Sequence, residues 1–76
     1  MDYESKSIYL KKDDDIIGLH ATMAPTEDGL IQMEGWCNAY SNDFKYIGSI
    51  YRIFGPIEEE AAELKKDGWV EIEAPA

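Results

Sequence analysis

The sequence predicts an α+β fold, a small antiparallel sheet with a single helix packed on one face, in the order β-β-β-β-α-β. Three features predict it. Apolar and polar residues alternate with a period of two through most of the chain before Gly55, between clusters of Asp, Gly, Pro, Ser and Asn that turn it. The spacing becomes helical between Gly55 and Gly68, and period two returns at Val70.

The first strand is expected at Ser5 to Lys12, with Ile8 and Leu10 on one side and Ser7, Tyr9 and Lys11 on the other. Asp13, Asp14 and Asp15 turn the chain, and Ile16 to Met23 pairs back with Ile17, Leu19, Ala21 and Met23 on one face. Ala24 to Gly29 reads as a loop, because Pro25 cannot donate to a ladder and Asp28-Gly29 is a turn pair. A third strand follows from Leu30 to Ala39, with Ile31, Met33, Gly35 and Cys37 facing one way and Leu30, Gln32, Glu34 and Trp36 the other. Tyr40 to Asp43 is a polar turn. Phe44 to Phe54 is then apolar on both sides, the pattern of a central strand covered on both faces. The same residues also suit a short helix capped by Asn42 or Asp43 and carrying Phe44, Ile47, Ile50, Tyr51 and Phe54. Their β-branched and aromatic content favours the strand.

The helix is the most plainly written element. Gly55 is expected as its N-cap and Pro56 as its first residue, where a missing N–H costs nothing, and Glu58, Glu59 and Glu60 oppose the positive end of the dipole. Ile57, Ala61 and Leu64 recur at i, i+4 and i+7 and form the buried stripe, with Glu58, Glu59, Glu63 and Lys66 on the solvated side. Lys65 and Lys66 favour the negative end, Gly68 is the expected left-handed residue after the last turn, and Trp69 folds back on Leu64. Val70 and Ile72 alternate with Glu71 and Glu73 as a last strand, which Pro75 ends.

At 76 residues the chain has the size of one domain with one small core. A hydrophobic fraction of 45% places it among folded rather than disordered sequences. It has no long apolar run and no basic leader, so no membrane association is expected, and its one cysteine, Cys37, suits a reducing compartment such as the cytosol. The net charge of −9 repels nucleic acid and anionic lipid, which argues against direct binding to DNA or RNA and favours a basic protein partner.

The residues with chemical potential are few. One His and one Cys do not make a zinc site, and Asp13-Asp14-Asp15 lacks the alternating acids, the glycine and the distal glutamate of a calcium loop, so neither metal nor cofactor is expected. Cys37 with His20 as base would have to meet across strands to form a nucleophilic pair; a core cysteine and a packed histidine are the plainer readings, and catalytic residues are not assigned. The acids fall into three groups: Asp13, Asp14 and Asp15; Glu27 and Asp28; and Glu58, Glu59, Glu60 and Glu63 on the helix. On one side of the molecule they would form an anionic surface able to occupy a basic nucleic-acid groove on another protein. One short helix cannot cover all the large apolar side chains, so exposed aromatic surface is expected around Trp36, Tyr40, Tyr46 and Tyr51, open to a partner or to a second copy in a homodimer.

The stretch EEEAAELKKDGWVEIE, Glu58 to Glu73, with AAELKKDGW at its centre, is similar to the helix-then-strand ending of small acidic anti-CRISPR proteins of phages. That resemblance implies a non-enzymatic inhibitor acting in the host cytosol. Such proteins bind a CRISPR surveillance complex, often through acidic residues that occlude its DNA-binding lysines and arginines. Two functional readings result. The first is an acidic inhibitor that binds through Asp13, Asp14, Asp15, Glu27, Asp28, Glu59 and Glu63. The second is an accessory or oligomerising module that uses an aromatic sheet face with Trp36, Tyr46 and Tyr51, unrelated to nucleic acid.

Overall fold

The structure is a computed structural model that describes residues 3–74; Pro75, expected to end the last strand, lies outside the described residues. Strands β1 (Glu4–Lys12), β2 (Asp15–Thr26), β3 (Gly29–Tyr40), β4 (Tyr46–Ile53) and β5 (Val70–Ile72) form one antiparallel sheet in the order β4-β3-β2-β1-β5. Helix α1 (Ile57–Lys66) follows β4 and packs chiefly on β1 and β2. The order follows from the connections: three hairpin turns lay β1 to β4 side by side, and the helix carries the chain back across one face to set β5 beside β1. The α+β class and the element order are those expected from sequence.

The core lies between the helix and the sheet. Leu10, Ile17, Leu19, Ala21, Cys37 and Ile53 face Ile57 and Ala61, with Ile8, Met23, Leu64 and Trp69 packed around them. Leu10, Leu19, Cys37 and Ile57 are fully enclosed, and each of the three aliphatic side chains contributes about 2 kcal/mol by leaving water. The pairing of Leu19 with Cys37 and of Leu10 with Ile17 stacks these residues in adjacent strands on one face, which is why the alternation was visible in the sequence.

Four local expectations are corrected. Ala24 to Gly29 is not a loop. β2 and β3 continue into a long hairpin that turns only at Glu27 and Asp28, with Gly29 at φ +121°. Pro25 is tolerated because β1 ends opposite Met23, so Pro25 has a single neighbour, Leu30, and its missing donor faces solvent. In β3 the expected division of faces holds from Gly35 to Cys37 and reverses before it. A register shift between Thr22 and Met23 pairs Met23 with Gln32, and this places Gln32 on the helix side. β4 is a strand, but an edge strand rather than a central one. Its apolar residues on two sides are left partly exposed, Ile47 at 67% and Ile50 at 55%.

The helix begins at Ile57, with Pro56 rather than Gly55 in the N-cap position and no side-chain cap of its own. Gln32 takes that role from the sheet: its Oε1 accepts the Ile57 N–H at 3.1 Å, and its Nε2 donates to the Gly55 carbonyl at 2.6 Å. At the other end Gly68 has φ +99°, Trp69 N donates to Leu64 O and Gly68 N to Lys65 O, both at 3.2 Å, the paired bonds of a Schellman ending. Lys12 adds a hydrogen bond of 2.7 Å from its Nζ to the Asp67 carbonyl.

Two stability predictions result. Gly68→Val should lower the free energy of unfolding by about 1 kcal/mol or more, since a β-branched residue is disfavoured at that φ; denaturant titration with an unchanged midpoint would disprove the cap. Gln32→Ala should cost about 1–3 kcal/mol by leaving the half-buried Ile57 N–H without its acceptor, and would be accompanied by faster exchange of the Ile57 amide.

Candidate protein-binding surface

The acids of the helix divide by direction. Glu58 points toward β1 and pairs with Lys6. Glu59, Glu60 and Glu63 lie on the opposite flank, toward the end of β4, where they line a cleft of about 590 Å3 with Tyr51, Phe54 and Pro56. The spacing i, i+1, i+4 is what sets these three carboxylates on one flank. Tyr51 closes the floor between strand and helix by donating its hydroxyl to Glu60 Oε2 at 2.6 Å. Burial, and next the bond to Glu60, push the Tyr51 hydroxyl well above its ordinary pKa, so it remains a proton donor. Phe54 stands at the rim, 90% exposed, with the Arg52 guanidinium 5.7 Å from its ring centre. Glu63 also bonds Lys66 across one turn, an exposed pair of little energetic weight.

The turn acids occupy the two ends of the sheet. Asp13, Asp14 and Asp15 lie at the β1–β2 turn, beside the helix C-terminus that Lys12 ties to this end. Asp13 has φ +55°, a left-handed conformation that Asp tolerates better than most residues. Glu27 and Asp28 lie at the tip of the β2–β3 hairpin, a full strand length, about 36 Å, from Asp15. Glu59, Glu60 and Glu63 thus share one cleft, Asp13, Asp14 and Asp15 lie at the opposite end of the helix, and Glu27 and Asp28 lie apart from both. No three His, Cys, Asp or Glu side chains among the described residues gather as metal ligands would.

The aromatic residues are divided as well. Trp36 and Tyr46 face the side of the sheet without the helix, whereas Tyr51, paired with Cys37, lies on the helix side. The helix-free face has a small cluster of its own: Tyr9 meets His20, Tyr40 and Phe44 edge-to-face at 5.6, 5.8 and 5.7 Å. Gly18 makes this possible, since a Cβ there would lie 2.6 Å from His20 Nε2 and 2.7 Å from Tyr40 Cε2. The side-chain oxygen of Asn38, on the same face, is buried without a hydrogen-bond partner. His20 is held at both nitrogens, Nδ1 2.7 Å from Ser7 Oγ and Nε2 2.6 Å from the Tyr40 hydroxyl. Cys37 faces the core on the other side of the sheet, so it and His20 do not meet. Burial raises the Cys37 thiol pKa and keeps it protonated.

The chain matches no family model, no curated protein and no solved structure. Among the described residues no helix is long and apolar enough to cross a membrane.

Sequence reading grouped Glu60 with the helix acids but gave it no partner, and it did not single out Phe54 or Gln32 as functional residues. Phe54 becomes exposed because β4 is an edge strand, and Glu60 and Gln32 matter through partners in distant strands; no local pattern signals either circumstance.

Burial lowers the His20 pKa, which sets the sign of a pH effect. The unfolded chain takes up the proton at the ordinary value of 6.5, the folded chain only at lower pH. This contribution to stability is thus fully present above the unfolded pKa and declines as pH falls below it. Thermal melts between pH 7.5 and 5 should show that decline in the wild type and a shallower one in His20→Gln. Equal slopes would show that His20 is not the responsible group.

Proposed function

We propose that the protein is a non-enzymatic, acidic inhibitor-type binding protein that engages a basic nucleic-acid-binding surface of another protein and blocks nucleic-acid access to it, as the anti-CRISPR resemblance implies. The observation that carries this reading is the cleft in which Glu59, Glu60 and Glu63 face Tyr51 and Phe54. Carboxylates beside exposed aromatic rings suit an inserted Lys or Arg, which gains both ion pairing and a ring face to lie on. Asp13, Asp14 and Asp15 add further negative charge at the β1–β2 turn, beside the helix C-terminus. A net charge of −9 adds long-range attraction to a basic groove and repulsion from the nucleic acid that would compete for it.

The test uses a partner captured from host lysate at low salt and then purified. Binding should weaken steeply as salt rises, chiefly through slower association, and nucleic acid should compete. Glu59→Lys with Glu63→Lys should remove most binding while leaving the melting temperature nearly unchanged, because both side chains are exposed. Binding that survives the double reversal and about 0.5 M salt, with no competition from DNA or RNA, would refute the reading.

A further inference from the structure

The acidic cleft is part of a longer hollow. β4 stops at Ile53, opposite Gly35, while β3 runs on toward the hairpin tip, so among the described residues the outer edge of β3 from Ile31 to Glu34 has no neighbouring strand. A second cavity, of about 340 Å3, lies along that edge. It shares Arg52, Ile53, Phe54, Gly55 and Pro56 with the acid-lined cleft, so the two meet around Phe54. We propose that this combined groove receives an extended peptide segment of the partner, with a Lys or Arg side chain among Glu59, Glu60 and Glu63 and apolar side chains against Ile31, Met33 and Phe54. The proposal rests on the cation-accepting cleft of the preceding reading and adds the form in which the cation is delivered.

The backbone sets the form of the occupant. The outward N–H and C=O groups of an edge strand need partners, and those of Ile31 to Glu34 have no backbone partner among the described residues. An extended polypeptide supplies donors and acceptors at the matching repeat, which a small cation does not. The other long free edges are interrupted. Across the same hairpin Pro25 removes a donor from β2, register shifts at Ile50 and Ile47 break up β4, and the free stretch of β1 carries Lys6, tied to Glu58. Residues 29–34 contain neither Lys nor Pro. One bulge does fall here: Thr22 pairs with Glu34 but Met23 with Gln32, so Met33 is passed over. It leaves the Met33 side chain 54% exposed and keeps the ladder short, so side chains must contribute to affinity beside the backbone.

Charge selects a basic residue for one end of the segment. Glu59 and Glu60 form no ion pair among the described residues, and Glu63 has only the exposed Lys66 beside it. The one cation among the lining residues, Arg52, is engaged elsewhere: its guanidinium lies 3.6 Å from Glu34 and over the rings of Trp36 and Phe54, at 5.9 and 5.7 Å. The cleft acids are therefore left for a cation from outside. Phe54 lines both the charged end and the end formed by Ile31 and Met33. At 90% exposure it has most of its ring left to bury, which suits it as the anchor of the contact.

Selection from a library of random peptides about eight residues long, an extended reach of about 27 Å, tests the assignment. Enriched sequences should carry a Lys or Arg within a few positions of an apolar residue. Added to the isotope-labelled protein, such a peptide should shift the amides of Ile31 to Glu34 and of Phe54 and slow their exchange. Methylating its backbone nitrogens at alternate positions should weaken binding about tenfold or more, and so should Phe54→Ser, whose side chain lies outside the core. The methylated peptides and the wild-type shifts decide alone if that variant unfolds. Peptides enriched only in basic residues, with shifts confined to Glu59 through Glu63 and no effect of methylation, would overturn the extended segment and leave the acidic reading standing. Peptides that behave as expected, while nucleic acid fails to compete for the captured partner, would support the groove and refute the nucleic-acid-blocking reading instead. A library that yields no binder, or a mass above 8.6 kDa that Phe54→Ser restores to the monomer, showing a second copy in the groove, would overturn the assignment.

Discussion

A ten-residue helix has to serve a five-stranded sheet, and most of the molecule's surface follows from that mismatch. Such a helix is about 15 Å long and 10 Å wide with its side chains, enough for two strands at their spacing of about 4.8 Å. Ile57 and Ala61 are therefore set over β1 and β2, where Leu10 and Leu19 meet them, and β3 and β4 extend past its shelter. The acid-lined cleft and the exposed Ile47 and Ile50 lie along this unsheltered margin.

The helix-free face answers the same shortage differently. Residues 41–45 bring Phe44, at φ +60°, against Tyr9, and the ring cluster then lies over Gly18. A glycine in the middle of a strand weakens it by itself. Here it creates the depth that lets three rings and an imidazole pack edge-to-face on a sheet that no second layer covers. The result is a small, hydrogen-bonded aromatic cover in place of a second helix, and it withdraws Tyr9 and Tyr40 from solvent while Tyr46 stays 61% exposed.

Legibility from sequence followed the range of the interactions involved. The alternation of Ile17, Leu19 and Ala21, the stripe of Ile57, Ala61 and Leu64, and the Gly68 ending depend on contacts within a few residues or on strict periodicity, and all were readable. The N-terminus of the helix was not, because its acceptor, Gln32, lies 25 positions earlier in the chain. Apolar content marked β4 as central, yet its place at the edge is decided by the crossover that sends β5 to the other side of β1. For the candidate surface, the sequence supplied the acids and aromatics but not their grouping. The direction of Tyr51 depends on the register with Cys37, and the separation of Glu27 and Asp28 from the other acids depends on how far the hairpin extends.

That hairpin has a consequence for how the molecule breathes. Beyond Met23 and Gly35 neither β1 nor β4 accompanies it; Gln32 still ties its base to the helix N-terminus, but residues 25–31 are all exposed and held by a single ladder with no core beneath them. A two-stranded ribbon in water is only marginally stable alone. Its amides should exchange with solvent through local openings far less costly than global unfolding, while those of Leu10 and Leu19 report the whole fold. The outer part of the ribbon, residues 25–31, is thus energetically decoupled from the core, and lengthening its tip would be tolerated where a single inserted residue in β1 would shift every side chain to the wrong face.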